Sequence, residues 1–116
     1  MNSHILGQSA ELEIVNLLQS QDFTILEQNY KKFFGEIDII AQKNDLIVFV
    51  EVKARTNPKT SMFELVPQSK QKKIKQTANA YIAKNNKKVS YRFDVALVQY
   101  CKEKSPQITY IAHAFV

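Results

Sequence analysis

Two acidic residues and one lysine stand in neighbouring β-rich segments and have the side chains that metal-assisted hydrolysis requires. Asp38 lies in the segment GEIDIIAQ, and Glu51 and Lys53 lie in the segment LIVFVEVKAR. Only Lys43-Asn44-Asp45 separates the two segments, and these residues are typical of a tight turn between antiparallel strands. The pattern predicts a β-hairpin with an acid on one strand and an acid and a lysine on the other.

The register of this hairpin decides whether the acidic groups meet. If Asn44 and Asp45 are the central residues of the turn, Asp38 faces Glu51, and Lys53 points to the same side. Opposed side chains have Cβ atoms roughly 5 Å apart, where two carboxylates repel by about 3 kcal/mol at an effective dielectric near 20. A hard divalent cation would replace this repulsion by chelation. Mg²⁺ is the expected cation, and Mn²⁺ could substitute for it. Lys53 could then orient or deprotonate an attacking water, or stabilise transition-state charge.

The same residues also fit interpretations without a metal. Glu36 faces Lys53 in this register, and an ordinary cross-strand ion pair is the favoured role for Glu36. A register that differs by two residues would leave Asp38 and Glu51 as solvated charges on an exposed face, and a shift of one would separate their faces. Structural charge networks also resemble functional sites, so the spacing alone leaves these alternatives open.

Glu11 is a further acidic candidate because it falls within the apolar stripe of a predicted helix, residues 8–19. Glu11 lies about 60° round that helix from Ile14, taking about 100° per residue. A carboxylate on a core-facing stripe is costly unless it is paired or bound to a metal. The stripe itself is formed by Leu6, Ala10, Ile14, Leu17 and Leu18.

The elements that must position these residues follow the order α-β-β-β-α-β-β. Ser69 is the predicted N-cap of the second helix, which extends from Lys70 to about Lys84, after a polar loop that runs to about Gln68. The order predicts an α/β fold, a mixed central sheet flanked by helices, with residues 1–116 as a single domain. The predicted strands are 23–26 with an extension to 30 or 33, 35–42, 46–55, 91–100 and 108–116.

Composition limits the class of protein and of site. The formal charge of +5 and the pI of about 9.3 favour polyanionic partners. Many small proteins are equally basic, so charge alone does not decide the partner. Cys101 is the only cysteine, which excludes an intrachain disulfide framework and a cysteine zinc site. The opening residues lack a signal-peptide pattern and the longest apolar run, Leu46 to Val50, is too short to span a membrane, so we expect a cytoplasmic protein with no membrane partner.

The motifs together resemble a known family. An acid followed about a dozen residues later by Glu-x-Lys resembles the PD-(D/E)xK nuclease superfamily, and the closer match is to the small YraN-like family of predicted endonucleases. The matching motifs are GQSAE at 7–11, GEIDII at 35–40, FVEVKAR at 49–55 and RFDV at 92–95, with Asn29, Ser69-Lys70 and Ala114-Phe115 as further landmarks. The resemblance covers almost the whole chain, and it departs from the superfamily name only at Ile37, where the proline would stand.

The resemblance implies a restriction-endonuclease-like core and assigns roles to the acidic residues. Asp38 and Glu51 would be metal ligands and Lys53 the catalytic lysine. Glu11 would be an additional acidic residue of the catalytic and metal site. Junction-cutting relatives pair their sites, so the resemblance leaves a homodimer open.

Several basic and aromatic residues are candidates for contact with nucleic acid. Lys70 could reach a scissile phosphate, Lys73 belongs to a basic run, and Arg55 could clamp phosphate beside the site. A solvated helix face with snorkelling lysines explains Lys70 and Lys73 equally well. For Arg92, an ion pair with Asp94 is the favoured interpretation.

Three aromatic residues allow a similar choice. Tyr30, Phe33 and Phe34 could stack on bases, although core or hairpin packing is favoured for them. The leading hypothesis for the whole chain is a Mg²⁺-dependent DNA endonuclease, structure-selective or general, acting in repair or recombination. The rivals are a non-catalytic nucleic-acid-binding module and a protein-interaction module with the same fold, because fold does not establish catalysis.

Overall fold

Alternating apolar residues build one five-stranded sheet in the order β1-β2-β3-β4-β5. The computed structural model describes residues 3–85, 88–102 and 104–116. Strands β3 and β4 are parallel, and the other neighbours are antiparallel, so the predicted mixed sheet flanked by helices is confirmed. The elements are α1 (Ser3–Ser20), β1 (Thr24–Lys32), β2 (Gly35–Lys43), β3 (Leu46–Arg55), α2 (Met62–Leu65), α3 (Gln68–Asn85), β4 (Ser90–Gln99) and β5 (Gln107–Phe115).

The centre of the sheet is buried on both faces, because a long helix covers each side. On one face α1 packs Ile14 and Leu18 against Val48 and Val50 of β3. On the other face the buried side of α3, which includes Ile74 and Tyr81, packs against Phe49 of β3 and Phe93 of β4. A strand buried on both faces reads as a continuous apolar run, and this is why LIVFV precedes Glu51.

The β2–β3 hairpin has the register that the turn residues predicted. Ile39 pairs with Val50 and Lys43 with Leu46, so Asn44 and Asp45 are the two turn residues. Asn44 adopts a φ of 53°, a conformation that asparagine tolerates better than most residues. From the turn, the continuous ladder runs back to the pair Ile39–Val50 and stops next to Asp38.

Strand β2 changes faces at Asp38. Ile39 packs in the core beneath α1, whereas Ile37, two residues earlier, packs in the core beneath α3. Residues two apart in a regular strand share a face, so the alternation breaks between them. The neighbouring strand is irregular at the same level, where Asn29 has a φ of 52°. Asp38 therefore stands at a kink, with access to both faces of the sheet.

The helices differ from their predicted bounds at their first turns. Helix α1 begins at Ser3 instead of Gln8, and α3 begins at Gln68. The prediction that Ser69 caps α3 is wrong, because Ser69 lies within the first turn. The Pro67 carbonyl accepts hydrogen bonds from the Lys70 and Gln71 backbone N–H groups instead.

The segment predicted as a polar loop contains a short helix, α2. Ser61 caps this helix by accepting a hydrogen bond from the Glu64 backbone N–H, and Val66 after it is fully buried. Burial of Val66 holds the start of α3 against the sheet. Over the described ranges, neither long helix is apolar enough for a membrane crossing.

Candidate active site

A cleft of about 300 Å³ opens between the β2–β3 hairpin and the first turns of α3. Six charged side chains of both signs line it: Glu36, Asp38, Glu51, Lys53, Lys70 and Lys73. Strands β2 and β3 supply the acids and Lys53, because their ladder ends here and the side chains that follow are turned toward the cleft. Helix α3 supplies the other two lysines across the opening.

Asp38 is held by the backbone of the neighbouring strand. The Val52 N–H donates a hydrogen bond of 2.8 Å to Asp38 Oδ2, at the level where the regular ladder has ended. This contact draws the carboxyl group toward β3, and the side chain of Glu51 then hydrogen-bonds with it. The contact between Asp38 and Glu51 that the hairpin register predicted is confirmed.

Glu51 is a buried acid that keeps its proton at neutral pH. Only 5% of the residue is exposed. Burial raises the pKa of the Glu51 carboxyl, the hydrogen bond and negative charge of Asp38 raise it further, and the Lys70 and Lys53 charges oppose the shift. The pKa reaches about 9. Lys70 Nζ stands 3.6 Å from Glu51 Oε2 and lowers the pKa of Glu51. This one ammonium does not compensate for burial beside a second acid.

Glu11 reaches Asp38 from the opposite side. Burial and the Asp38 charge raise the pKa of the Glu11 carboxyl to about 7, and a hydrogen bond from Asn29 works against this shift. A second opening, lined among others by Glu11, Asn29 and Asp38, lies on the α1 side of the sheet. Asp38 thus contacts Glu51 on one side and Glu11 on the other, which the kink at this residue makes possible.

Asn29 is a site residue to which sequence reasoning assigned no role. Its side chain hydrogen-bonds Glu11, and its backbone lies in the left-handed region. Asparagine is one of the few residues that enter this region readily. An asparagine inside an otherwise β-rich segment was therefore the available signal for the kink.

Lys53 and Lys70 form a contact pair in which the two amines differ. Burial, followed by the contact with Lys70, lowers the pKa of Lys53. Burial also disfavours the charge on Lys70, but the contact with Lys53 and the carboxylates of Glu51 and Asp38 outweigh burial and raise its pKa. The surroundings therefore disfavour the charged form more strongly at Lys53 than at Lys70.

The other cross-strand pairing predicted from the sequence is wrong. Within the described residues no salt bridge joins Glu36 and Lys53. The β2–β3 ladder ends before these positions, so the strands no longer hold the two side chains opposite each other. In the β1–β2 ladder Glu36 lies opposite Lys31 of β1, and Lys53 contacts Lys70.

The remaining basic candidates divide between the cleft and the scaffold. Lys73 lines the cleft. Arg55 lies outside the cleft lining, and its Nη1 donates a hydrogen bond of 2.6 Å to the Thr60 carbonyl, which ties the start of the connecting loop to β3. Arg92 donates from Nε to the fully buried Asp94 at 2.9 Å, so the favoured ion pair is confirmed.

The donor set is chemically suited to a hard divalent cation. Asp38, Glu51 and Glu11 offer carboxylate oxygens, and no thiol approaches them. In the described part of the chain no group of three or more acidic, histidine or cysteine side chains is arranged to hold a metal ion. Mg²⁺ does not require three protein ligands, because it usually binds one or two carboxylates and completes its shell with water and substrate phosphate. The raised pKa values of the Glu51 and Glu11 carboxyl groups beside Asp38 show where a cation would favour their ionised forms.

The site residues belong to a stretch that is shared with many bacterial proteins. Residues 10–98 match the model of the uncharacterised protein family UPF0102. A UPF0102 protein of Clostridioides difficile is 46% identical over 117 residues, which cover 99% of this chain and all of the relative. One of Dictyoglomus thermophilum is 40% identical over 118 residues, 99% of this chain and all of the relative. One of Dictyoglomus turgidum is 44% identical over 99 residues, 82% of each chain.

Proposed function

The chain belongs to the UPF0102 family, and we propose that it is a metal-dependent endonuclease that hydrolyses phosphodiester bonds in DNA. The proposal includes membership of the PD-(D/E)xK superfamily. One observation carries it: the carboxyl groups of Asp38 and Glu51 are in direct contact in a cleft that three lysines also line. Acids in contact need a shared cation or a proton, and lysines facing them offer phosphate a binding surface.

The acids supply the cation site in this proposal. Asp38 is the common ligand, because Glu51 and Glu11 both contact it. Mg²⁺, with Mn²⁺ as a substitute, would favour the ionised form of these carboxyls, polarise the phosphate and lower the pKa of a bound water. Without a cation, the Glu51 carboxyl group is protonated and hydrogen-bonds to Asp38. One of the two central acids of the metal-free site is then neutral.

The lysine pair divides two tasks. The lowered pKa of Lys53 favours its neutral amine, the form that could take a proton from the attacking water. The raised pKa of Lys70 keeps that side chain as an ammonium, suited to neutralise negative charge on the phosphate. Two titratable groups whose environments move their pKa values apart are the usual arrangement of an acid–base pair.

The cleft also explains how a DNA strand would be positioned. Lys70 and Lys73 lie on α3, one turn apart, on the opposite side of the cleft from the acids. A phosphate between the helix and the hairpin would contact lysine on one side and face the acids on the other. This arrangement orients the phosphate before reaction, which is a large part of catalysis in phosphodiester hydrolysis.

The proposal is tested by nuclease assays on linear, branched and single-stranded DNA with Mg²⁺ or Mn²⁺. We expect cleavage that Glu51→Gln reduces at least 100-fold and that the exposed control Glu27→Gln leaves unchanged. Absence of metal-dependent cleavage, or cleavage indifferent to Glu51, would refute the nuclease. Salt-dependent DNA binding without cleavage, indifferent to Asp38 and Glu51, would identify the non-catalytic binding module instead.

A further inference from the structure

The tip of the β1–β2 hairpin carries two phenylalanines at positions where turns favour other residues. Phe33 and Phe34 are the two turn residues between the paired Lys32 and Gly35. Two-residue hairpin turns favour Gly, Asn and Asp, because their backbones commonly require positive φ. The β2–β3 turn follows this rule with Asn44, but neither phenylalanine adopts a positive φ. Turn formation therefore does not explain the aromatic pair.

Packing does not explain Phe33 either. The residue is 101% exposed, the highest value among the exposed large hydrophobic residues of the described chain. The half-buried Phe34 meets its ring edge-to-face, with 4.9 Å between ring centroids, and so restricts its orientation. Tyr30 on the same hairpin packs against Tyr81 in the ordinary way. Positions at which a sequence breaks local preferences are expected to be functional or strained.

The hairpin tip is fixed at the edge of the cleft. Gly35, which lines the cleft, lies so close to α3 that an added Cβ would stand 2.5 Å from Thr77 Oγ1 and 2.9 Å from the Lys73 carbonyl oxygen. A shallow groove separates Phe33 and Phe34 from Gln76 on the same helix. Phe33 is two residues from Gly35, at most about 7 Å of extended chain. That span equals about two nucleotide steps of a stacked strand at roughly 3.4 Å each.

We propose that Phe33, supported by Phe34, is a stacking platform for an unpaired base in a strand whose phosphate lies in the cleft. Aromatic rings stack on any base, and the nearby exposed Lys31 and Lys73 complement the strand's phosphates. The inference rests on the proposed function for the position of the phosphate. It specifies the substrate class as nucleic acid with unpaired nucleotides beside the cleavage position, because bases inside a continuous duplex have no free face.

The chain contains no tryptophan, so Phe33→Trp introduces the only indole fluorophore, at the platform. The probe is a single-stranded DNA oligonucleotide of about 12 nucleotides, within the range of known site sizes. It is added in the presence of a chelator, so that no metal-dependent cleavage occurs. We expect the oligonucleotide to quench the indole fluorescence, and the same strand annealed to its complement to leave that fluorescence largely unchanged.

Binding affinities separate stacking from charge. Phe33→Ala should weaken single-strand binding roughly 5- to 150-fold, equivalent to about 1–3 kcal/mol for one stacked base, and leave duplex binding unchanged. Phe33→Ala should not alter the salt dependence of single-strand binding. Lys73→Ala should reduce the slope of the logarithm of the binding constant against the logarithm of the salt concentration by about 0.7. Leu12→Ala removes an apolar side chain that is 61% exposed on α1, and as the matched control it should behave as wild type.

Three results from binding and sedimentation would overturn the proposed stacking role of Phe33. They are equal single-strand binding by wild type and Phe33→Ala, absence of single-strand binding by wild type, and loss of a dimer on Phe33→Ala in analytical ultracentrifugation. The last would assign the tip to contact with a second copy of the chain. If cleavage depends on Glu51 but is unaffected by Phe33→Ala on every substrate, the stacking role is refuted and the proposed nuclease activity stands.

If single-strand binding depends on Phe33 but no substrate is cleaved, the proposed nuclease activity is refuted and the stacking role stands.

Discussion

Replacing the buried acid Glu51 by glutamine should stabilise the metal-free protein, although it removes a proposed metal ligand. Glu51 is 5% exposed and hydrogen-bonds to Asp38, so it remains protonated in the folded chain until the pH reaches about 9. In the unfolded chain the same carboxyl group ionises near its ordinary pKa of 4.5. Glutamine has almost the same shape, can donate a hydrogen bond to Asp38, and is neutral at every pH.

The size of the effect follows from proton linkage. Between pH 4.5 and 9 the folded state binds more protons than the unfolded state, so the free energy of unfolding falls as the pH rises. The slope is at most about 1.4 kcal/mol per pH unit, which gives about 3 kcal/mol of lost stability by pH 7. Glu51→Gln abolishes this loss. For a domain of this size, about 3 kcal/mol raises Tm by roughly 10 °C.

The measurement is thermal and urea unfolding of wild type and Glu51→Gln from pH 5 to pH 8 with a chelator present. The two proteins should have nearly equal Tm at pH 5, and the variant should gain an increasing advantage toward pH 8. Other titrating groups contribute to both proteins, so the difference isolates Glu51. Glu27→Gln, which removes an exposed carboxylate, should show no such trend.

A variant less stable than wild type at pH 8, or a Tm difference that does not change with pH, would refute the reasoning. Mg²⁺ provides an independent check, because a ligand that binds only the folded state stabilises it. Added Mg²⁺ should raise the Tm of wild type and have much less effect on Glu51→Gln. An equal shift in both proteins would place the cation elsewhere.

Three further changes test other parts of the argument. Lys53→Arg should reduce cleavage about 100-fold or more, because a guanidinium cannot accept a proton at neutral pH. Cleavage rates at saturating Mg²⁺ measure this effect. Wild-type rates would exclude Lys53 as the proton acceptor. Asp94→Ala should lower the free energy of unfolding by about 3–5 kcal/mol, as measured by urea unfolding. The reason is that the fully buried carboxylate accepts hydrogen bonds from Arg92 Nε, Tyr110 OH and the His113 N–H. A change below about 1 kcal/mol would contradict this. Gly35→Ala should cost about 1–3 kcal/mol, because its Cβ meets the α3 backbone, and unchanged stability would show that the hairpin tip is not anchored there.

The local part of the site could be predicted from the sequence alone. Asn44 and Asp45 determine the hairpin register, and the register brings Asp38 to Glu51. A two-residue turn acts between neighbouring segments, so its geometry depends on few residues and on no distant contact. The bounds of β3 were predicted without error, and the bounds of β4 and β5 were predicted to within one residue.

Packing of distant segments decided the remainder. The kink at Asn29 and Asp38 places Ile37 and Ile39 in different cores, and period-2 alternation cannot anticipate it. The docking of α3 brings Lys70 to Glu51, and the end of the ladder removes the predicted partner of Glu36. The residue types and the turn chemistry thus specified two acids and a lysine on one hairpin. Only the tertiary structure determined which charges meet them and how far their pKa values move, because burial and long-range contacts exist only after the helices cover the sheet.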